Sequence, residues 1–387
     1  MKGILIDPHS VFVITQKAAD VYASSAAFSI DISGEIHYNY YIKIEEGKIM
    51  AIKVFISKDK KQFKGNMHCH STVSDGRLTP EELKAAYKAQ GYQVLAITDH
   101  CFPCPHNDLT DDEFLLLTGY EAYIRPNKKA KSDRFLPEVH LSLFARDKDN
   151  DKYICYNKIY CKYYKGDPSI FNRVGSEEPR EYTMEYINEF IKTATDNGYL
   201  VSYNHPTWSM EDPDNILKLK GWHSLEMDNT NSYLINSLEH NEMLYDKLLR
   251  NGVRVGCHAG DDNHNKQPFG HPLCDSFGSF TMFVADELNY ESVFGAFEKG
   301  DYYSSTGPQI LSLSIEDGKT VRVETSDADR IIMFNNTRKT KIALDENGGT
   351  VNCAEFELHE KSDYFRIAVI DKQGKRACSR GYFRDEF

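Results

Sequence analysis

Apolar positions along this chain follow three different rhythms. Residues 1–62 carry alternating, aromatic-rich stretches such as IHYNYYIKI, with Gly34 and Gly47 as turn candidates, and predict a small N-terminal β region. From residue 63 to 307 short apolar runs alternate with helical patterns. Val94 to Ile97 is an apolar run that reads as a buried parallel strand, preceded by Thr79-Pro80-Glu81-Glu82, which reads as a helix N-cap, an N1 proline and an acidic first turn, with Gly91 as its C′ residue. Met184, Ile187, Ile191 and Ala194 recur at helical spacing within 183–198, and Leu238, Tyr245, Leu248 and Leu249 do so within 236–252. Such alternation predicts βα units in a mostly parallel sheet or barrel. Beyond Gly307-Pro308, runs such as TVRVET, RIIMF and YFRIAVID are separated by Gly, Asp and Asn, so residues 308–387 predict a C-terminal β-sandwich. The Tyr- and Lys-rich segment 146–182 lacks clear periodicity and reads as an insertion able to cover a site as a lid.

At 387 residues with 41% hydrophobic content, the chain is large enough for two or three domains and a sizeable core. A net charge of −12 excludes general nucleic-acid or anionic-membrane binding, since either needs a basic face. Nine cysteines, an odd number scattered along a long chain, suit reduced thiols. With no membrane-length apolar run and no signal-peptide core in MKGILIDPHS, the expected location is the cytoplasm.

The candidate chemistry gathers at the ends of the apolar runs. His68 and His70 sit two apart, which in a strand points both imidazoles the same way. Asp75 follows in a Ser-Asp-Gly turn, and the 94–97 strand ends on Thr98-Asp99-His100. Later runs lead to Glu121, to His140 flanked by Val139 and Leu141, to Asn204-His205-Pro206, and to AGDDNH, where Asp262 and His264 repeat the two-apart spacing. Singly these have plain readings: His140 as a satisfied core histidine, Asp75 as a turn residue. Six histidines and three carboxylates in comparable strand-end positions make a metal centre the better reading, because α/β barrels build their sites at the C-terminal ends of strands. His9, His37, His223, His240, His271 and His359 read as surface or structural.

His-x-His, Ser-Asp-Gly, Thr-Asp-His, a lone Glu, a lone His, Asn-His-Pro and Asp-x-His together resemble the PHP (polymerase and histidinol phosphatase) superfamily over residues 63–307. With NHPTW and a trailing β domain the chain is most similar to the carbaryl-hydrolase-like (CehA/McbA) branch. The resemblance implies a distorted (β/α)7 barrel, a TIM-like fold with a trinuclear centre of up to three divalent metals (Zn, Mn or Fe). It implies one metal on His68, His70, Glu121 and Asp262, a second on Asp75, His100 and His264, and a third on Glu121, His140 and His205, with Glu121 bridging. Asp261 also precedes His264, but only Asp262 keeps the Asp-x-His spacing.

Three divalent ions less three carboxylates and a bridging hydroxide leave roughly +2 in the cavity, which matches a phosphate monoester dianion. The expected activity is therefore phosphoesterase chemistry on a small anionic substrate, by in-line attack of a metal-bridging hydroxide, with Glu121 and Asp262 in the catalytic set. Asp99 is expected to act beside them as the partner of a ligand histidine. Arg77, His106 and Arg125 are the candidates for binding the phosphate or protonating the leaving group. The runner-up is carbamate, ester or amide hydrolysis by the same hydroxide. A non-catalytic binding protein is disfavoured, because a decayed site would have lost ligands that are costly to bury unfilled. Cys101 and Cys104 form a lone CxxC, read as a loop wall with free thiols.

Overall fold

The computed structural model describes residues 40–45, 48–126, 136–164 and 167–387; Gly34, Gly47, His9, His37 and most of the expected N-terminal β region lie outside them. The described chain opens with β1 (Tyr40–Glu45), β2 (Lys48–Ile56) and β3 (Lys61–Asn66). Next come β4 (Val94–Ile97), β5 (Leu115–Ile124), β6 (Val139–Ala145), the short β7 (Lys152–Ile154) and β8 (Asn172–Val174), β9 (Tyr199–Tyr203), β10 (Ser224–Asn229) and β11 (Gly256–Gly260). The remaining strands are β12 (Phe280–Ala285), β13 (Tyr302–Ser305), β14 (Ile310–Glu316), β15 (Thr320–Ala328), β16 (Arg330–Asn335), β17 (Lys341–Leu344), β18 (Val351–Glu357), β19 (Tyr364–Ile370), β20 (Arg376–Ser379) and β21 (Tyr382–Phe383).

The site-bearing strands lie side by side in the order β11-β10-β9-β6-β5-β4-β3. Pairings β3–β4, β4–β5, β9–β10 and β10–β11 are parallel, as the buried, apolar character of these runs predicts, but β6 runs antiparallel to both β5 and β9. The expected distorted (β/α)7 barrel is not found as a closed barrel among the described residues. Among the described residues no ladder joins β11 to β3, and one isolated bridge, Cys69 to Asn263, links the segments that follow them. β3 instead pairs antiparallel with β12, and the sheet continues through β13, β20, β19, β16 and β17. At the edge of β11 away from β10, one residue is paired by a side chain: Thr281 Oγ1 accepts from Ala259 N (2.9 Å) and donates to Ala259 O (2.8 Å).

The helix Pro80–Ala89 carries the expected capping box, Thr79 with Glu82, and buries Leu83 and Tyr87; Gly91 follows at φ 75°. The helix Met184–Asp196 is capped by Thr183 and buries Ile187, Phe190, Ile191 and Ala194. The helix expected over 236–252 is shorter, Glu242–Arg250, and a separate helix Thr230–Asn236 precedes it. Ser237 in the left-handed region at φ 56° ends the first, and Asn236 Oδ1 accepts from the N–H of both Leu238 and Glu239. Leu238 is therefore in a turn and 66% exposed, not in the core.

β2 and β1 pair into one sheet with β14, β15 and β18, so residues before 62 and after 308 share a layer. That sheet packs on the β19-β16 part of the long sheet through Ile56, Leu313, Ile315, Val321, Val323, Ile331, Met333, Phe365, Ile367 and Val369. One face of this β-sandwich is thus continuous with the strands that carry the site. The 146–182 segment pairs β7 with β8 and packs Tyr153, Tyr156 and Tyr160 on Cys101 and Phe102, with Tyr163 stacked 5.8 Å from the His100 ring. Among the described residues no helix is long and apolar enough to cross a membrane.

Candidate metal centre

All nine candidate ligands converge. His68 and His70 follow β3 on either side of Cys69, whose bridge to Asn263 sends both imidazoles inward. His100 ends the turn after β4 and bridges to Glu121, in the middle of β5. His140 lies on β6, His205 follows β9, and Asp262 and His264 follow β11. Two of these positions are backbone-strained, His205 at φ 23° and Asp262 at φ 53°, as occurs where surrounding structure fixes a functional side chain. The packing leaves no room for side chains beside them: a Cβ on Gly260 would sit 2.6 Å from His68 Cβ, and one on Gly76 2.2 Å from His70 O.

Glu121 is the centre of the cluster. Its Oε1 lies 3.2 Å from His68 Nε2 and 3.1 Å from both His140 Nδ1 and His205 Nε2, and its Oε2 lies 3.1 Å from His100 Nδ1 and 3.5 Å from His70 Nε2. Asp262 Oδ1 is 3.0 Å from His70 Nε2 and 3.4 Å from His68 Nε2. Asp75 Oδ1 is 3.4 Å from His264 Nε2 and 3.7 Å from His100 Nε2. The donor atoms fall into the sets His68/His70/Glu121, His68/His205/Asp262, His70/Asp75/His100/His264 and Glu121/His140/His205, so His70 also reaches the set around Asp75.

Burial alone would raise the Glu121 carboxyl, yet His68 and His140, with hydrogen bonds from His100 and His140, hold it well below the usual carboxylate range. Burial pushes the His70 imidazole down to about 4, reinforced by His100 and His264, leaving it in the neutral, ligating form. His140 is held up at about 9 against its burial by Glu121 and Glu138, so a metal there competes with a proton. The residues fit a group of divalent metals. His68 Nε2 and His70 Nε2 face each other at 3.2 Å, and His70 Nδ1 is buried with no hydrogen-bond partner among the described residues. Six imidazoles and three carboxylates, with no thiolate, suit borderline to hard divalent metal ions.

Asp261 and Asp262 divide cleanly. Asp261 turns away and accepts from Tyr87 OH (2.7 Å), Thr230 Oγ1 (2.6 Å) and the backbone N–H groups of Phe277, Gly278 and Ser279. Asp99 is corrected: its carboxylate accepts from Ser71 N, Ser71 Oγ and Ser74 Oγ, bracing the loop after His70, not from a ligand histidine. Arg77 is exposed and touches the cluster through its backbone N–H, given to His264 O at 3.0 Å. Arg125 is exposed with its guanidinium 5.5 Å from the Tyr123 ring, and His106, its pKa lowered by burial, is surrounded by Asp99, Asp108 and Glu81. None of the three has a hydrogen bond or ion pair to a candidate ligand through its side chain among the described contacts.

Sequence reasoning missed Glu226, Asn204, Asn229 and His258. Glu226 is fully buried on β10 with Oε1 2.9 Å from His68 Nδ1. Asn204 Nδ2 donates to Glu121 Oε1 (2.9 Å) and Ser142 Oγ (2.8 Å). Asn229 Nδ2 lies 2.9 Å from Glu226 Oε2 and 3.3 Å from Asp262 Oδ2. His258 lies fully buried with Nδ1 3.1 Å from both Ser202 Oγ and Ser224 Oγ. The available signal was a charged residue within the strand run SLEMDN and a histidine within GCHAG. His240, read as surface or structural, is in an ionic network with Asp228 and Glu242, and Arg366 and Arg376 bind the same Glu242 carboxylate. All nine cysteines are free.

The PHP domain family model matches residues 66–205 and takes in seven of the nine candidate ligands, leaving Asp262 and His264 beyond its end. A 5'-3' exoribonuclease of Haemophilus influenzae is 57% identical over 37 residues, which cover 10% of this chain; the chain spans 14% of that relative's length. Among solved structures, a two-domain protein containing a predicted PHP-like metal-dependent phosphoesterase from Bacteroides vulgatus is similar at 13% identity and a TM-score of 0.39, over 88% of this chain and 97% of that one. An amidohydrolase from Chromobacterium violaceum with bound sulfate is similar at 14% identity and a TM-score of 0.35, over 54% and 93%.

Proposed function

We propose that this protein is a metal-dependent phosphoesterase that hydrolyses a small phosphomonoester. The observation that carries the reading is Glu121, a buried carboxylate with five imidazoles around its two oxygens, inside the stretch that matches the PHP domain model. In this reading His68, His70, Glu121 and Asp262 hold one divalent metal, Asp75, His100 and His264 a second, and Glu121, His140 and His205 a third. When bound, such ions supply an activated water, a positive clamp for phosphoryl oxygens and charge stabilisation for the leaving oxygen.

The chain's own residues set the charge and the geometry. Three divalent ions, less three ligand carboxylates and one hydroxide, leave the filled site net positive, roughly +2, which favours a dianion over a neutral ester. Asn204 orients Glu121 from behind, and Ser71 and Ser74, tied to Asp99, set the loop that presents His70 and Asp75. Tyr163 over His100, and Trp208 against the rings of His140 (5.4 Å) and His205 (4.9 Å), screen the imidazoles from bulk water. The test is a screen of the metal-loaded protein against phosphomonoesters and matched aryl acetates and carbamates. Turnover of the phosphate with competitive inhibition by inorganic phosphate supports the reading; preference for the ester or carbamate, without phosphate inhibition, replaces it.

A further inference from the structure

Of the candidate ligand histidines, His68, His140, His205 and His264 each turn one ring nitrogen toward the centre, and what holds the other nitrogen differs among these four. His205 Nδ1 meets Ser209 Oγ (3.2 Å), His264 Nδ1 meets the backbone Asp262 O (2.9 Å), and His140 Nε2 meets Glu138, a carboxylate 20% exposed at the rim. His68 alone, among the described residues, meets a fully buried carboxylate, Glu226, at 2.9 Å.

We infer that Glu226 is a positioning residue of the metal centre, which locks His68, His205 and Asp262 into one rigid unit and makes the position that His68 and Asp262 share with His70 and Glu121 the tightest metal site; this rests on the ligand assignment proposed above. Its Oε1 takes His68 Nδ1, so His68 presents Nε2 inward in a single tautomer. Its Oε2 accepts the backbone N–H of His205 at 2.8 Å, which ties down the strained φ of 23° at that residue. The same oxygen accepts from Asn229 Nδ2, which also reaches Asp262 Oδ2. The Asn229 amide has only one workable orientation, because its Oδ1 is occupied by Ser232 N (2.8 Å) as the cap of the helix Thr230–Asn236. A register shift in β10 between Glu226 and Asp228 accompanies this inward placement. Gly260 closes the space, since a Cβ there would lie 3.1 Å from Glu226 Oε1.

The experiment measures metal binding rather than turnover. Zn²⁺ affinity is determined by chelator competition on Glu226→Gln and the parent protein, and Co²⁺-substituted samples give visible absorption spectra. The expected result is a 10- to 100-fold weaker tightest site and a changed Co²⁺ spectrum, the range typical of residues that orient metal ligands. Equal affinity and an unchanged spectrum in Glu226→Gln overturn the inference while leaving the metallohydrolase reading intact; a parent protein that binds no metal overturns that reading instead. Should Glu226→Gln fail to fold by circular dichroism, Asn229→Asp decides. It keeps the helix cap but sets a carboxylate against Glu226 and Asp262, so affinity should fall several-fold, and an unchanged affinity sinks the inference.

Discussion

Glu121 and His205 stand 84 residues apart in the chain, yet His205 Nε2 lies 3.1 Å from Glu121 Oε1. The contact joins β5 to the turn after β9 across β6, and it makes Glu121 common to ligands from four other segments. Replacing one ligand should therefore disturb more than one metal position. Purified protein is expected to carry about two to three divalent metal equivalents, with His68→Ala and Asp262→Ala each losing at least one and all hydrolysis. Elemental analysis decides it: metal near zero after growth in supplemented medium, with activity kept in chelator, ends the metallohydrolase reading.

Cys101 and Cys104 follow His100 directly, and burial pushes both thiols up to about 11. Protonated thiols are poor ligands, and Cys101 packs with Phe102, Tyr123 and Tyr153 as part of a wall. The double variant Cys101→Ser, Cys104→Ser should keep its metal content and turnover. Loss of one metal equivalent would show that the pair coordinates.

Site charge is expected to decide the reaction type. At metal-ligand distances a residual charge of roughly +2 attracts a phosphate dianion by several kcal/mol more than a neutral ester, even at an effective dielectric constant of about 20. Asp75→Asn removes a carboxylate shared by His264 and His100, emptying that position and lowering the positive charge. Aryl phosphate turnover should then fall more steeply than turnover of the matched aryl acetate. Parallel losses on both substrates would refute the charge explanation.

His240 links the two halves of the molecule, with Nδ1 2.6 Å from Asp228 on β10 and Nε2 3.1 Å from Glu242, which in turn binds Arg366 of β19 and Arg376 of β20. Burial lowers its pKa, but Asp228 and Glu242 outweigh that and hold it at about 9. A histidine raised in the folded state adds stability fully below its unfolded value near 6.5, and that stability is lost as pH rises through about 9. The loss should be of order 2–3 kcal/mol. Thermal melts between pH 6 and 10 should show a decline in the parent protein that His240→Gln lacks; identical pH slopes in both would contradict it.

Much of the site was legible because its chemistry obeys local rules. His68 and His70 are two apart in extended chain, Asp262 and His264 repeat the spacing, Asp75 sits in a Ser-Asp-Gly turn, and each remaining candidate follows or interrupts an apolar run. Helices with a cap, such as Thr79 with Glu82, were legible for the same reason, since capping acts within a few residues. Where propensity and turn chemistry compete, as at Asn236 to Glu239, periodicity over-extended the helix, because an Asx turn and a left-handed Ser237 cost nothing that a hydrophobic pattern records.

By itself, then, the sequence marked the candidate ligand residues, the capped helices and the β character of residues 308–387. Tertiary structure alone decided that β6 runs antiparallel, that Thr281 pairs with Ala259 at the edge of β11, and that residues before 62 and after 308 share a sheet. It alone turned Asp99 toward two serines and brought Glu226 to His68 across 158 residues. The physical reason is the same in each case. Strand pairing and buried carboxylate partners are chosen by which unsatisfied donor lies within about 3 Å in the folded chain, and that neighbour is set by packing of distant segments, not by spacing along the backbone.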